Sequence, residues 1–254
     1  MTLSHDVAGD GPALVLLHSG VCDRRMWDAQ WLPLIDAGYR LVRCDLRGFG
    51  ETPAPDRPHN DAEDVLTLLN TVGITQAALV GSSFGGHVAL EIAARWPDRV
   101  SALALICSAL PGHEPSAELN ALGDREEALI ETGDIAGATE LMVETWLGPE
   151  ADETAREAVR RMQRHAFEVQ IAAAEAFEPI EAEIDLAAIL APCLAVSGAH
   201  DLADFRQIAA QLPDLLANAD HVELPWAGHL PNLERPSAVT DLLIDFLKDT
   251  VPTN

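Results

Sequence analysis

The pentapeptide Gly81-Ser82-Ser83-Phe84-Gly85 sets a serine between two glycines, after an apolar run (AALV) and before a stretch patterned like a helix (GHVALEIA). A neutral serine hydroxyl is a weak nucleophile until a neighbouring base takes its proton, and a sharp strand-to-helix turn is the local structure that exposes such a hydroxyl. The G-x-S-x-G spacing fits that turn, with Ser83 as the candidate nucleophile. Gly81 and Gly85 then fall where a side chain would meet the backbone of the following helix. Ser82 takes the variable position and has no assigned chemistry. Lys248 is the only lysine in the chain, which removes Walker-type phosphate loops, Schiff-base chemistry and Ser-Lys dyads together. Serine, histidine and carboxylates remain to do the work.

The elements that must hold these groups follow from the hydrophobic pattern. Short apolar runs, ALVLLHSG, RLVRCD, AALVGS, VSALALICSA and CLAVSGAHD, alternate with helical patterns, the order expected of a parallel sheet built from β-α-β crossovers. Both alternating positions are apolar, as in strands covered by helices on both faces. A last strand, HVELPWAGH, precedes a helical segment in which Leu242, Leu243, Phe246 and Leu247 recur at helical spacing. The fold class is therefore α/β, a doubly wound, mostly parallel sheet. The strand signal stops between Pro111 and Asp185, where four helical stretches are expected, punctuated by Gly123, Gly133 and Gly148-Pro149. This divides the chain into a core, 1–110 and 186–254, and a helical lid insertion, 111–185.

Length and charge narrow the classes further. The chain has 254 residues, enough for one domain with a full hydrophobic core, and a net charge of −25 from 41 acids against 16 bases. That surplus repels phosphates, and no basic cluster interleaves with aromatics, so nucleic acid is excluded as a partner. No apolar run is long enough to span a membrane and no basic-then-apolar leader opens the sequence, so a soluble cytoplasmic protein is expected, with no membrane partner. Cys22, Cys44, Cys107 and Cys193 show no ligand or disulfide spacing and read as reduced packing residues. No HExxH, EF-hand or zinc pattern appears, and RGFGET offers Gly48 and Gly50 but Pro53 at the third position of a dinucleotide loop. No metal and no organic cofactor is implied.

Several segments together make the chain resemble the α/β-hydrolase family over nearly its whole length. VLLHSG is similar to the strand and loop that supply an oxyanion donor, CDLRGFGET to the D-x-R-G-x-G-x-S turn, VSGAHD to the acid turn and GHLPNLERP to the histidine loop. The order Ser, Asp, His is that of the family. The resemblance implies that His229 is the base and Asp201 the acid that holds its tautomer, with Asp204 the nearest rival. The other histidines compete poorly: His18 looks structural, His87 rides the elbow helix, His165 belongs to the insertion and His221 opens the last strand from its far end. The oxyanion donors would be the backbone N–H of Phe84 and of Gly20, or Val21 if the loop is shifted by one. Trp146, Met142 and His165, with Val21, are candidate substrate contacts. Met162 and Phe167 of the insertion are expected to line or pack over the same pocket.

The expected function is hydrolysis of a small-molecule carboxylic ester or lactone through an acyl-enzyme, with activity falling as pH drops through the ordinary imidazole range, about 6 to 7. The same triad also serves C–C bond hydrolases and cofactor-free perhydrolases. The former resemble one another in a Trp directly after the histidine, where this chain has Leu230. A reading of another class is a small-ligand receptor on the hydrolase fold, separated from an enzyme by its lack of multiple turnover. Residues 113–185 hold 19 acids and 5 arginines, which favours neutral over anionic substrates. The stripe Arg156, Arg160, Arg164 is read as a solvated face paired with glutamates, against a carboxylate-binding role. The sequence leaves the oligomeric state open.

Overall fold

The computed structural model describes residues 2–173, 177, 179–180 and 182–253. Seven strands form one sheet in the order β1-β3-β2-β4-β5-β6-β7. They span His5–Ala8, Ala13–Leu17, Arg40–Cys44, Ala77–Ser82, Val100–Ile106, Cys193–Gly198 and Ala219–Leu224. All neighbours are parallel except β1, which pairs antiparallel with β3 at the edge. The six parallel strands are those expected from the apolar runs. β1 was not foreseen: HDVA is short, only partly buried and polar at two of its four positions, so the pairing with β3 rather than local pattern makes it a strand.

Alternate side chains of the central strands feed opposite faces, and both faces are apolar. Leu14, Leu16, Val80, Ala102, Ala104 and Ile106 join one core cluster, while Val15, Leu17, Leu79, Leu103 and Leu105 join the other. The second cluster is covered by α2 (Asp61–Thr71) and α3 (Phe84–Arg95), and the first by α1 (Asp28–Asp36) and α9 (Pro236–Thr250).

Between β5 and β6 the described residues form three helices, α4 (Ala117–Glu131), α5 (Ile135–Trp146) and α6 (Glu153–Ile171), not four. Gly123 was expected to break the first and lies inside it. A mid-helix glycine costs only about 1 kcal/mol relative to alanine, less than the capping and packing that hold α4. Ser116 caps the helix by accepting from the Leu119 N–H. Gly133, with φ of +79°, does end α4. Ala174 to Ala176, Glu178 and Glu181 of the expected insertion lie outside the described residues. The helices pack into the first core cluster through Leu122, Met142, Val159 and Phe167.

A Cβ on Gly123 would meet nothing within 4 Å. Gly123→Ala is expected to stabilise the protein by roughly 0.5–1 kcal/mol. An unchanged denaturant midpoint would show that α4 unfolds independently of the rest.

α7 (Ala203–Leu215) follows β6 and the single turn α8 (Pro231–Glu234) follows β7. Because β4 to β7 are parallel, the turns that leave them open on the same edge of the sheet. That edge is laced laterally: Ser83 N donates to Ile106 O (2.9 Å), Cys107 N to Val196 O (2.8 Å) and Ala199 N to Leu224 O (3.0 Å).

Candidate active site

The turn between β4 and α3 places Ser83 at φ 50°, ψ −113°, a left-handed conformation for a residue with a side chain. Close approach explains the glycines around it. A Cβ on Gly81 would overlap the Gly85 carbonyl at the start of α3, and one on Gly85 would overlap the Leu17 and His18 carbonyls at the end of β2. The elbow is therefore wedged between its own helix and the loop that follows β2. Strain of this kind persists where surrounding packing over-determines it.

That neighbouring loop is built on His18. The buried imidazole accepts from Leu46 N at Nε2 (2.9 Å), so Nδ1 carries the proton and donates to Ser19 O (2.8 Å). Burial keeps the ring below the ordinary histidine pKa, consistent with this neutral form. Ser19 O in turn accepts from Cys22 N (3.0 Å). The loop so held brings Gly20 against Phe84: a Cβ on Gly20 would stand 3.7 Å from Phe84 Cβ. The two candidate oxyanion donors are thus brought side by side, with Val21 buried next to them.

On the other side of Ser83, the turns after β6 and β7 meet. His229 Nδ1 lies 2.8 Å from Asp201 Oδ2, and both residues are buried. The second carboxylate oxygen accepts from Leu202 N (2.7 Å), so the acid is fixed at both ends. The histidine loop is packed through glycines: a Cβ on Gly198 would overlap Gly228 O, and one on Gly228 would overlap Gly148 N. Glu234 of α8 accepts from Gly228 N (3.0 Å), and His229 N donates to Trp146 O (2.9 Å). The imidazole packs against Trp146, tilted with ring centroids 4.4 Å apart, and Phe205, T-shaped at 4.3 Å, two rings that also touch each other at 5.5 Å.

Trp146 therefore covers the histidine, and its indole N–H points at Met142 Sδ (3.1 Å), so these two candidates sit together at the site. Met162 and Phe167 are buried in the same core cluster. Phe205 carried no signal in the sequence beyond its place near the start of a helix. His165 is elsewhere: its Nε2 is 3.0 Å from Gly50 O, in a charged cleft with Arg24, Arg161 and Glu168. α6 faces that residue toward the turn after β3.

Asp204, the rival acid, is taken by another partnership. It accepts from Ser116 N (2.8 Å) and Ser116 Oγ (2.6 Å) and lies 3.0 Å from His113 Nε2, anchoring the start of α4 to α7. Burial pushes its pKa up, but these hydrogen bonds outweigh burial and hold it at about 2. A carboxylate below its unfolded value stabilises the fold above that value, and the contribution disappears as pH falls through the folded pKa. The advantage of the wild type over Asp204→Asn in thermal midpoint should be full above about pH 4 and fade toward pH 2. A gap independent of pH would mean that the ionised form is not what holds the contact.

Cys107 completes the edge at φ 45°. Its Sγ and the ligand atoms of Asp201 and His229 all lie within 4.8 Å of one another. Burial, then the charge of Asp201, drive the thiol pKa well above its ordinary range. It stays a thiol, the form that packs rather than ligates. All four cysteines are buried and free.

The arginine stripe of α6 is largely neutralised on its own surface. Arg160 pairs with Glu140 (2.5 Å), Glu157 (2.6 Å) and Glu153 (3.3 Å), and Arg164 with Glu168 (3.0 Å). Among the described residues no helix is long and apolar enough to cross a membrane.

A strand-turn-helix serine, a buried Asp-His pair on the same edge and a loop apposed to the elbow define a hydrolase-type fold, and the chain belongs to the alpha/beta hydrolase family, whose model matches residues 14–242. Among individual proteins, it is similar to a putative carbamate hydrolase RutD of Variovorax paradoxus (strain S110), 28% identical over 97% of this chain and 96% of that one. It is also similar to the enol-lactonase of Burkholderia xenovorans LB400, 28% identical with a TM-score of 0.80 over 97% of this chain and 96% of that chain. A thermophilic esterase from Thermogutta terrifontis is 26% identical, with a TM-score of 0.79 over 98% and 93%. A local match is stronger in identity but short: an epoxide hydrolase 2 of Siraitia grosvenorii is 41% identical over 37% of this chain, a stretch covering 32% of that protein.

Proposed function

We propose that the protein hydrolyses a small carboxylic ester or lactone through an acyl-enzyme on Ser83. The observation that carries the reading is the buried His229–Asp201 pair at 2.8 Å on the edge where the strained Ser83 turn also opens. His229 Nε2 takes the Ser83 proton as Oγ attacks the carbonyl carbon, and Asp201 holds the proton on Nδ1 and stabilises the imidazolium. The carbonyl oxygen becomes an oxyanion facing the N–H groups of Phe84, at the start of α3, and Gly20. Collapse of the tetrahedral intermediate passes the proton from Nε2 to the leaving alkoxide. Water then repeats the sequence on the acyl-enzyme, with His229 again as base, and releases the acid.

In this reading the segment 111–185 acts as a lid, and Trp146 and Phe205 shield the imidazole from bulk water. The esterase and lactonase neighbours and the carbamate hydrolase relative support a carbonyl substrate with an O- or N-linked leaving group. A panel of ester, lactone and carbamate substrates, followed over many turnovers, tests the proposal together with mass detection of an acyl adduct. Turnover should be multiple and the adduct should map to Ser83. Ligand-dependent stabilisation with no more than a single cycle would point to a receptor instead.

The excess of acids in the segment over the site, with Arg160 and Arg164 already paired, predicts a substrate-charge effect. A neutral ester should exceed a carboxylate-bearing ester of equal size in kcat/KM, with the gap narrowing as salt shortens the screening length to about 10 Å or less. Preference for the anion, lost in Arg160→Gln or Arg164→Gln, would reverse this assignment.

A further inference from the structure

A cavity of about 380 Å³ opens beside the elbow, and its wall includes both Gly20 and Phe84. Away from them it reaches Arg47, His59 and Asp61. Asp61 is the first residue of α2 and is 7% exposed. Among the described residues the neighbouring acids Asp64 and Glu91 each have a partner. Asp64 takes Arg47 through two hydrogen bonds, 2.5 and 2.8 Å. Glu91 accepts from Asn60 Nδ2 (2.7 Å) and from Arg95 (2.5 Å). Among the described residues, no group donates a side-chain hydrogen bond to the Asp61 carboxylate, and its nearest basic atom is His59 Nε2 at 3.6 Å. Burial, then the Arg47 charge, lower the His59 pKa, so that ring does not neutralise it. Burial, with the charges of Asp64 and Glu91 outweighing Arg47, pushes Asp61 up to about 7.

A largely buried carboxylate that accepts no side-chain hydrogen bond either takes up a proton or is relieved by a ligand that supplies the missing donor, and an ammonium group would hold it ionised. With the Arg47 guanidinium held by Asp64, no free cation remains there for a carboxylate ligand among the described residues. Phe49 and Phe84, whose rings also line the cavity, offer faces suited to a cation.

We propose that Asp61 is a specificity-determining residue, selecting substrates that carry a protonated amine on the portion extending past Phe84 into this cavity. The proposal rests on the ester or lactone hydrolysis inferred above, and it names the class of substrate. Asp61 binds the ammonium group and takes no part in bond breaking.

The test compares p-nitrophenyl ω-aminoalkanoates with p-nitrophenyl alkanoates of matched length, and aminoalkyl acetates with alkyl acetates, at pH 8 in the wild type and in Asp61→Asn. The ammonium ester should exceed its alkyl counterpart by about tenfold or more in kcat/KM, mostly through KM, as expected of a charge-assisted hydrogen bond. Asp61→Asn should abolish that preference by raising KM for the ammonium ester, and leave the alkyl ester within about threefold because it carries no charge for Asp61 to bind. Equal or better turnover of the alkyl ester by the wild type, or a preference that survives Asp61→Asn, overturns the proposal. If no ester is turned over, the hydrolase reading fails separately. Thermal shifts with the corresponding non-hydrolysable ω-amino amides then decide: stabilisation by the amine that Asp61→Asn loses supports the site, and equal shifts in both proteins refute it.

Discussion

Ser83→Ala should fold as the wild type does and lose ester hydrolysis by a factor of about 10³ or more in kcat/KM. The substitution removes one oxygen and keeps the Cβ, so the left-handed turn at φ 50° is neither relieved nor worsened, and the glycine contacts on either side are untouched. Among the described residues no second nucleophile stands in its place. Ser82 is fully buried on β4, and the Cys107 thiol is held protonated by burial and by Asp201. Steady-state kinetics with circular dichroism and a serine-directed phosphonate provide the measurement. Retention of activity within tenfold, or labelling at Ser82, would remove Ser83 from the mechanism.

Asp201→Asn should cost about 10³- to 10⁴-fold in kcat, while Asp204→Asn leaves kcat within a few-fold and acts on stability. The two residues are three apart in sequence and equally acidic, yet their environments divide the roles. Asp201 Oδ2 is 2.8 Å from His229 Nδ1, where an amide could present its NH₂ and force the wrong tautomer on the ring. Asp204 instead holds Ser116 and His113, at the foot of α4. Kinetics on both variants, with thermal midpoints alongside, check the division. The reverse ranking would move the acid to Asp204 and require a different path to His229.

Much of the candidate site is visible in the chain before folding because each group sits in a local motif with its own geometry. The elbow needs glycine on both sides of Ser83, the acid turn reads VSGAHD and the histidine loop reads GHLPNLERP. The succession of continuous apolar runs and helical patterns also suffices to place the turns at one edge, since a parallel sheet leaves no other arrangement. The helices between β5 and β6 were harder to divide. Gly123 looks like a breaker in sequence and is absorbed by α4, because propensity is a weaker force than packing.

What the sequence by itself determined is the fold class, the strands of the parallel sheet, the family and the residues that stand at the ends of β4, β6 and β7. Those depend on periodicity and on short-range backbone demands, which neighbouring residues meet. Tertiary structure alone decided which groups touch. It brought Phe205 and Trp146 against His229, set the Cys107 thiol beside Asp201, gave Asp204 to Ser116 and sent His165 to the turn at Gly50. Among the described residues, it also left Asp61 without a side-chain hydrogen-bond donor while pairing Asp64 and Glu91. Such contacts join segments far apart in the chain, and their energies depend on burial and on the order in which competing donors are claimed, neither of which is encoded at any one position.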